Sequence, residues 1–136
     1  MTRGVSKHAV AHYEAVRGPS VVLVLTYRRD QPWEITARFL TAENEGRGVA
    51  WVFARDLLAL GLHGPAGEGD VHVRPAAPLH VAIGLDNGTD APCAFYAPAH
   101  ALGVFLDATA HLVPFGTESA HTDLDALCDA LTRKAA

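Results

Sequence analysis

Eight histidines and two cysteines are the residues to test first for chemistry, since both types ligate metals and together they form nucleophilic pairs. His8 and His12 are four residues apart, an interval of about 13 Å along a strand, too far to share one ion. His72 and His80 fall out of phase with the apolar positions of neighbouring strands and could approach each other across a hairpin. Their spacing is not that of a ligand set, so a surface pair is the expected meaning. Cys93 and Cys128 have no CxxC partner and sit in apolar surroundings, the pattern of free buried thiols. The three serines, Ser6, Ser20 and Ser119, include none in a G-x-S-x-G elbow. Gly61 to Gly69 is glycine-rich but lacks the Gly-Lys-Ser/Thr of a phosphate loop, so turn geometry accounts for it better. Asp123 and Asp125 read as first-turn residues of a helix from Thr122 rather than an acid/base couple. Asp107 and His111, at i and i+4, read as a solvated pair. The expectation is therefore no enzyme, no cofactor, no metal and no disulfide.

The charged pair that stands apart is Arg55-Asp56. Asp56 is a candidate helix N-cap worth about 1 kcal/mol over alanine, and Arg55 is placed to bond a neighbouring strand. The alternative is a partner-binding point beside a hydrophobic rim. Around this pair the rhythm of the chain changes. Trp51 and Phe53 alternate with Val52 and Ala54 as in a strand. Leu57, Leu58 and Leu60 then follow as one or two helical turns, with Gly61 as a left-handed stop. Gly64-Pro65, Gly67 and Gly69 turn the chain into a strand over 70–74, where Val71 and Val73 alternate with His72 and Arg74. Trp51 is expected in the core.

The elements that position these residues follow from the same periodicities. Strands are predicted over 8–14, 21–28, 33–40, 49–54, 70–74, 79–85 and 93–96. Trp33, Ile35, Ala37 and Phe39 share one face of the third, and Leu79, Val81, Ile83 and Leu85 one face of the sixth. Asn87-Gly88 is a hairpin signal. Pro98 opens a helix whose stripe is Leu102, Phe105, Leu106 and Val113, and Pro114 ends it. A last helix buries Leu124, Leu127, Cys128 and Leu131. This order predicts one α+β domain with antiparallel sheets and helices packed at one end.

Composition narrows the functional classes. The 136 residues are 49% hydrophobic and 19% charged, the balance of a globular chain. No apolar run reaches a membrane span and no signal peptide opens the sequence, so a cytoplasmic protein without a transmembrane segment is expected. The net charge is −4, and between Pro75 and Thr132 there is no Lys or Arg against seven acids. That field repels a phosphate backbone, so no nucleic-acid partner is expected.

The blocks W-V-F-A-R-D-L-L-A-L-G-L from Trp51 and P-A-G-E-G-D-V-H-V-R-P to Pro75 resemble the SsgA-like family of actinomycete sporulation and cell-division regulators. Further agreement runs through Ala97-Pro98-Ala99, Ala101-Leu102, Phe105-Leu106, Val113-Pro114, Gly116-Thr117-Glu118 and Asp123-Leu124-Asp125, with Tyr27, Pro32 and Phe39. The signature residues are Trp51, Phe53, Arg55, Asp56, Leu57, Leu58, Gly61, Gly67, Gly69, Asp70 and Val71, expected to serve structure. The resemblance implies two packed antiparallel sheets with helices, similar to the whirly single-stranded nucleic-acid-binding fold, assembled as a trimer. It also implies a non-enzymatic adaptor in septum-site placement at the division septum, with the tubulin-like division protein FtsZ or other family members as partners. The competing reading is a single-stranded nucleic-acid-binding module. That reading needs a basic groove with stacking aromatics, for which Arg28, Arg29, Arg38, Arg74, Tyr27 and Trp33 are a thin supply.

Overall fold

The computed structural model describes residues 3–15, 17–41, 49–76, 78–86 and 93–121. Alternating β-branched and aromatic residues build a first antiparallel meander of β1 (Gly4–Tyr13), β2 (Ser20–Arg28), β3 (Glu34–Leu40) and β4 (Val49–Ala54). Its inner face is in register: Leu23 lies opposite Phe39, Leu25 opposite Ala37, and Tyr27 opposite Ile35, all buried. The β2–β3 turn is held by Tyr27, whose hydroxyl donates to the Pro32 carbonyl at 2.9 Å, and by a two-pronged Arg28–Asp30 pair. β4 runs straight into α1 (Arg55–Gly61). A second meander follows, β5 (Ala66–Glu68), β6 (Val71–Ala76), β7 (His80–Leu85) and β8 (Cys93–Pro98), and α2 (Ala99–Leu112) leaves its last strand.

Hydrogen bonding makes one eight-stranded antiparallel sheet, ordered β4-β3-β2-β1-β8-β7-β6-β5, where the resemblance implied two. β1 outruns its expected start at His8, beginning at Gly4, and the meanders join where its far end reaches β8. There His12 lies opposite Tyr96 and Tyr13 opposite Phe95. The Glu14 N–H then donates to the Ala94 carbonyl at 2.8 Å, with Glu14 itself at φ +68°. Across this seam Phe95 stacks on Phe39 of the other meander with ring centroids 4.0 Å apart. Leu102, Phe105 and Leu106 of α2 complete the core, and the helix packs on β1, β7 and β8. The stripe expected for this helix is therefore the buried one, including Val113 just beyond it.

Local details depart from expectation for identifiable reasons. Leu79 was placed in phase with Val81, but β7 begins one residue later and Leu79 sits at φ +58° with 86% of its surface exposed. Asp56 does not cap α1: the cap position is Ala54, with no side-chain bond, and Asp56 lies in the first helical turn. There its charge still complements the helix dipole. Gly61 is the last helical residue, and the left-handed turn is made instead by Gly69, at φ +60° between β5 and β6. The Asn87-Gly88 turn and the helix from Thr122, with Cys128, lie outside the described residues.

Candidate functional site

β4 and β5 stand at the two ends of the strand order, so each has one side without a strand partner among the described residues. The sheet curls until these two free edges line the same cleft, about 410 Å³ in volume. Trp51, Val52 and Phe53 come from β4, Glu68 from β5, Asp70 from the turn into β6 and Val71 from its first residue, while Trp33 precedes β3 and Glu34 begins it. Among the described residues no helix is long and apolar enough to cross a membrane.

The signature residues divide between this cleft and its foundation. Trp51 is half-buried against the core and lines the cleft, rather than lying wholly inside. Phe53, Leu57, Leu58 and Val71 are buried; Asp56 and Asp70 are exposed. Gly67 lies beneath the imidazole of His72, which occupies the place a side chain would take. Gly61 faces Val73: a Cβ there would overlap the Val73 side chain and come 3.1 Å from its carbonyl carbon. Glycine is required at that point for close approach of helix and strand, not for a left-handed φ.

Arg55 is the foundation. Its side chain is 0% exposed, and Nη2 lies 3.1 Å from Oε2 of Glu118, itself 3% exposed. Nη1 donates to the carbonyls of Val113 at 2.6 Å and Thr109 at 3.3 Å, just past the end of α2 and at its last turn, the Thr109 carbonyl also accepting the Val113 N–H. The guanidinium is sandwiched between the rings of Phe115, 3.9 Å away, and Tyr27, 4.8 Å away. The Arg55 main-chain N–H donates to the Trp33 carbonyl at 2.9 Å, tying the approach to β3 to the start of α1. The expected bond from Arg55 to a neighbouring strand is not what forms: its backbone bonds to Trp33 in the turn before β3, and its side chain crosses to the end of α2.

This setting explains the titration of its neighbours. Burial pushes the Glu118 carboxyl up, but hydrogen bonds from its own backbone N–H, from Arg55 and from Gly116 N–H, with the guanidinium charge, together outweigh it. The net result is a carboxyl held below its ordinary range. Burial pushes the Tyr27 hydroxyl up to about 12, against the opposing pull of Arg55.

The other candidates do not converge. His72 lies opposite Gly84 and His80 opposite Ala76, so the β6–β7 register separates the two histidines that a hairpin could have joined. No three His, Cys, Asp or Glu side chains gather in metal-binding range among the described residues. His111 reaches the main-chain carbonyl of Asp107 at 2.8 Å, not its carboxylate. Cys93 is a half-buried free thiol whose Sγ lies 3.7 Å from the Tyr13 hydroxyl.

Sequence reasoning missed three members of the cleft. Trp33 was assigned to an inward strand face, yet it precedes β3 and is 52% exposed. Glu34 was not singled out, and no local periodicity marks it or the exposed Glu68 as part of a cleft. What joins them to Trp51 is closure of the sheet, which depends on distant pairing.

Comparison with known proteins matches this architecture. The family model described as Streptomyces sporulation and cell division protein, SsgA, matches residues 21–118. The sporulation-specific cell division protein SsgB of Streptomyces coelicolor is 45% identical over 104 residues, 74% of each chain. That of Saccharopolyspora erythraea is 41% identical over 131 residues, 92% of this chain and 87% of the relative. The crystal structure of an SsgA-like sporulation-specific cell division protein from Thermobifida fusca superposes with a TM-score of 0.81 at 31% identity, covering 94% of both chains. A solved SsgB, reported with mutations that correlate to longitudinal cell division during sporulation of S. coelicolor, superposes at 0.77 with 38% identity, covering 89% of this chain and 97% of that one. With the match running from β2 through the Arg55–Glu118 pair and the identity sustained across the fold, this chain belongs to the SsgA family of sporulation and cell division proteins.

Proposed function

We propose that this protein is a non-enzymatic adaptor that helps place the septum during sporulation, contacting FtsZ or other members of its family at the division site. The observation that carries this reading is the open cleft in which the family signature meets two free sheet edges, a geometry for holding protein rather than for transforming a small molecule. The link between mutations in a solved SsgB and longitudinal division supports a role in septum orientation. The acidic lining of the cleft also favours a protein partner over a phosphate backbone.

The test separates loss of fold from loss of contact. Phe105→Ala empties a fully buried site and is expected to cost about 3–5 kcal/mol, abolishing septation through loss of folded protein. Charge reversal at exposed Glu68, Arg74 or Asp107 should stay within about 0.5 kcal/mol of the parent, yet at least one should misplace septa in sporulating hyphae. If every variant with a septation defect also melts early, the adaptor reading fails.

The protein is also proposed to act as a homotrimer. Val10 and Val22 lie opposite each other across β1 and β2 on the outer face of the sheet, and both are exposed. An apolar pair there gains by being covered in a closed assembly. Light scattering should report a trimer at micromolar concentration, and Val10→Lys with Val22→Lys should shift it to monomer. A monomeric parent under the same conditions would rule this out.

A further inference from the structure

We propose that the cleft between the free edges of β4 and β5 docks an extended, lysine- or arginine-bearing segment of a partner protein. Three features of the cleft choose this occupant. First, β4 offers an unpaired row of main-chain groups on its outer side among the described residues, the arrangement that accepts an added strand. Second, the lining includes Glu34, Glu68 and Asp70 and no Lys, Arg or His. Among the described residues none of the three carboxylates has a hydrogen-bond or ion-pair partner. Uncompensated acids around a concave site complement a basic ligand and steer its approach.

Third, the apolar part of the site is exposed and aromatic. Trp33 is 52% and Val52 55% exposed, beside the half-buried Trp51. An indole face attracts an ammonium or guanidinium group as well as aliphatic surface. A second hollow shares Ala54 and Glu68 with the cleft and continues it along α1 to Asp56 and to Leu60, which is 64% exposed. The trough so formed holds the carboxylates of Glu34, Asp56, Glu68 and Asp70 together with apolar surface, and His63 lines its far part. An extended chain presents successive side chains to opposite faces, so with basic and apolar residues in alternation it can set one kind toward the carboxylates and the other toward the apolar surface.

This inference rests on the adaptor reading for its biological partner, but its test needs only purified protein. The probe is a short fluorescein-labelled peptide of alternating lysine and valine, titrated by fluorescence anisotropy at low and physiological salt. Binding is expected, weakening as salt rises, and a glutamate–valine peptide should bind at least about tenfold more weakly. The combined substitution Glu34→Gln, Glu68→Gln and Asp70→Asn should weaken binding by about tenfold or more with an unchanged melting temperature. Asp107→Asn, the loss of one negative charge on α2 away from the cleft, should leave binding as it was. Methylating alternate backbone nitrogens of the peptide should weaken it if a strand is added to β4. The proposal is overturned if the triple variant binds like the parent, or if Asp107→Asn weakens binding as much. It is also overturned if Trp33→Ala or Val52→Lys splits an oligomer in light scattering, since the cleft would then be an interface between copies. Because no cell enters the titration, its failure removes the docking site and leaves the septation assay to decide the adaptor role.

Discussion

Glu118→Ala is expected to destabilise the protein by about 3–5 kcal/mol, more than any surface change, because it strands a fully buried guanidinium. The remaining acceptors, the Val113 and Thr109 carbonyls, and the two flanking rings solvate the cation only in part. Arg55→Met should cost a similar amount by leaving the carboxylate at 3% exposure without its cation. Arg55→Met combined with Glu118→Leu should lose far less than the sum, because an apolar pair needs no compensating charge. Urea unfolding of the four proteins gives the coupling directly, and a sum of single effects equal to the double would refute it.

The same pair sets the acid limb of stability. The folded Glu118 carboxyl titrates below its unfolded counterpart, so its contribution is fully present above the ordinary carboxylate range and is lost as pH falls through the folded value. Glu118→Gln should flatten this part of the stability–pH profile while leaving its neutral and alkaline parts parallel to the parent.

Gly61→Ala is the second large effect, expected at about 3 kcal/mol although it adds one methyl group. On a free helix the change would be favourable, since alanine is the better helix former by about 1 kcal/mol. Here the new carbon enters the space of the Val73 side chain and nears its backbone, so α1 must lift from β6. Val73→Ala on the Gly61→Ala background should recover part of the loss. If instead Gly61→Ala is neutral or stabilising, the close approach of α1 to β6 is not a constraint on the fold.

How much of this was legible in the sequence depended on the range of the interaction. Alternation located β2, β3, β4 and β7 to within a residue or so, because each buries one face and a strand's period is local. The α2 stripe of Leu102, Phe105 and Leu106 was readable for the same reason. Arg55 was recognised as a special charge, but its partner sits beyond α2 in a segment with no periodic mark. Gly61 was read as a stop signal, and the true reason for glycine lies on another strand. Trp33 and Leu79 looked like inward strand residues because alternation continues past the point where the chain bends away. The single sheet was hidden entirely, since it rests on two residue pairs between strands at opposite ends of the chain order.

Those two pairs have a kinetic meaning. Every other strand pairing links elements that follow one another along the chain, so each meander can form hairpin by hairpin with little loop entropy to overcome. Among the strand pairings of the described residues, only the β1–β8 rungs join the beginning of the chain to residues beyond 90, and they carry the long-range closure of the ladder. The expected consequence is a folding rate set by one late docking of two meanders, rewarded by the Phe39–Phe95 contact, so that Phe95→Ala slows folding in stopped-flow measurements.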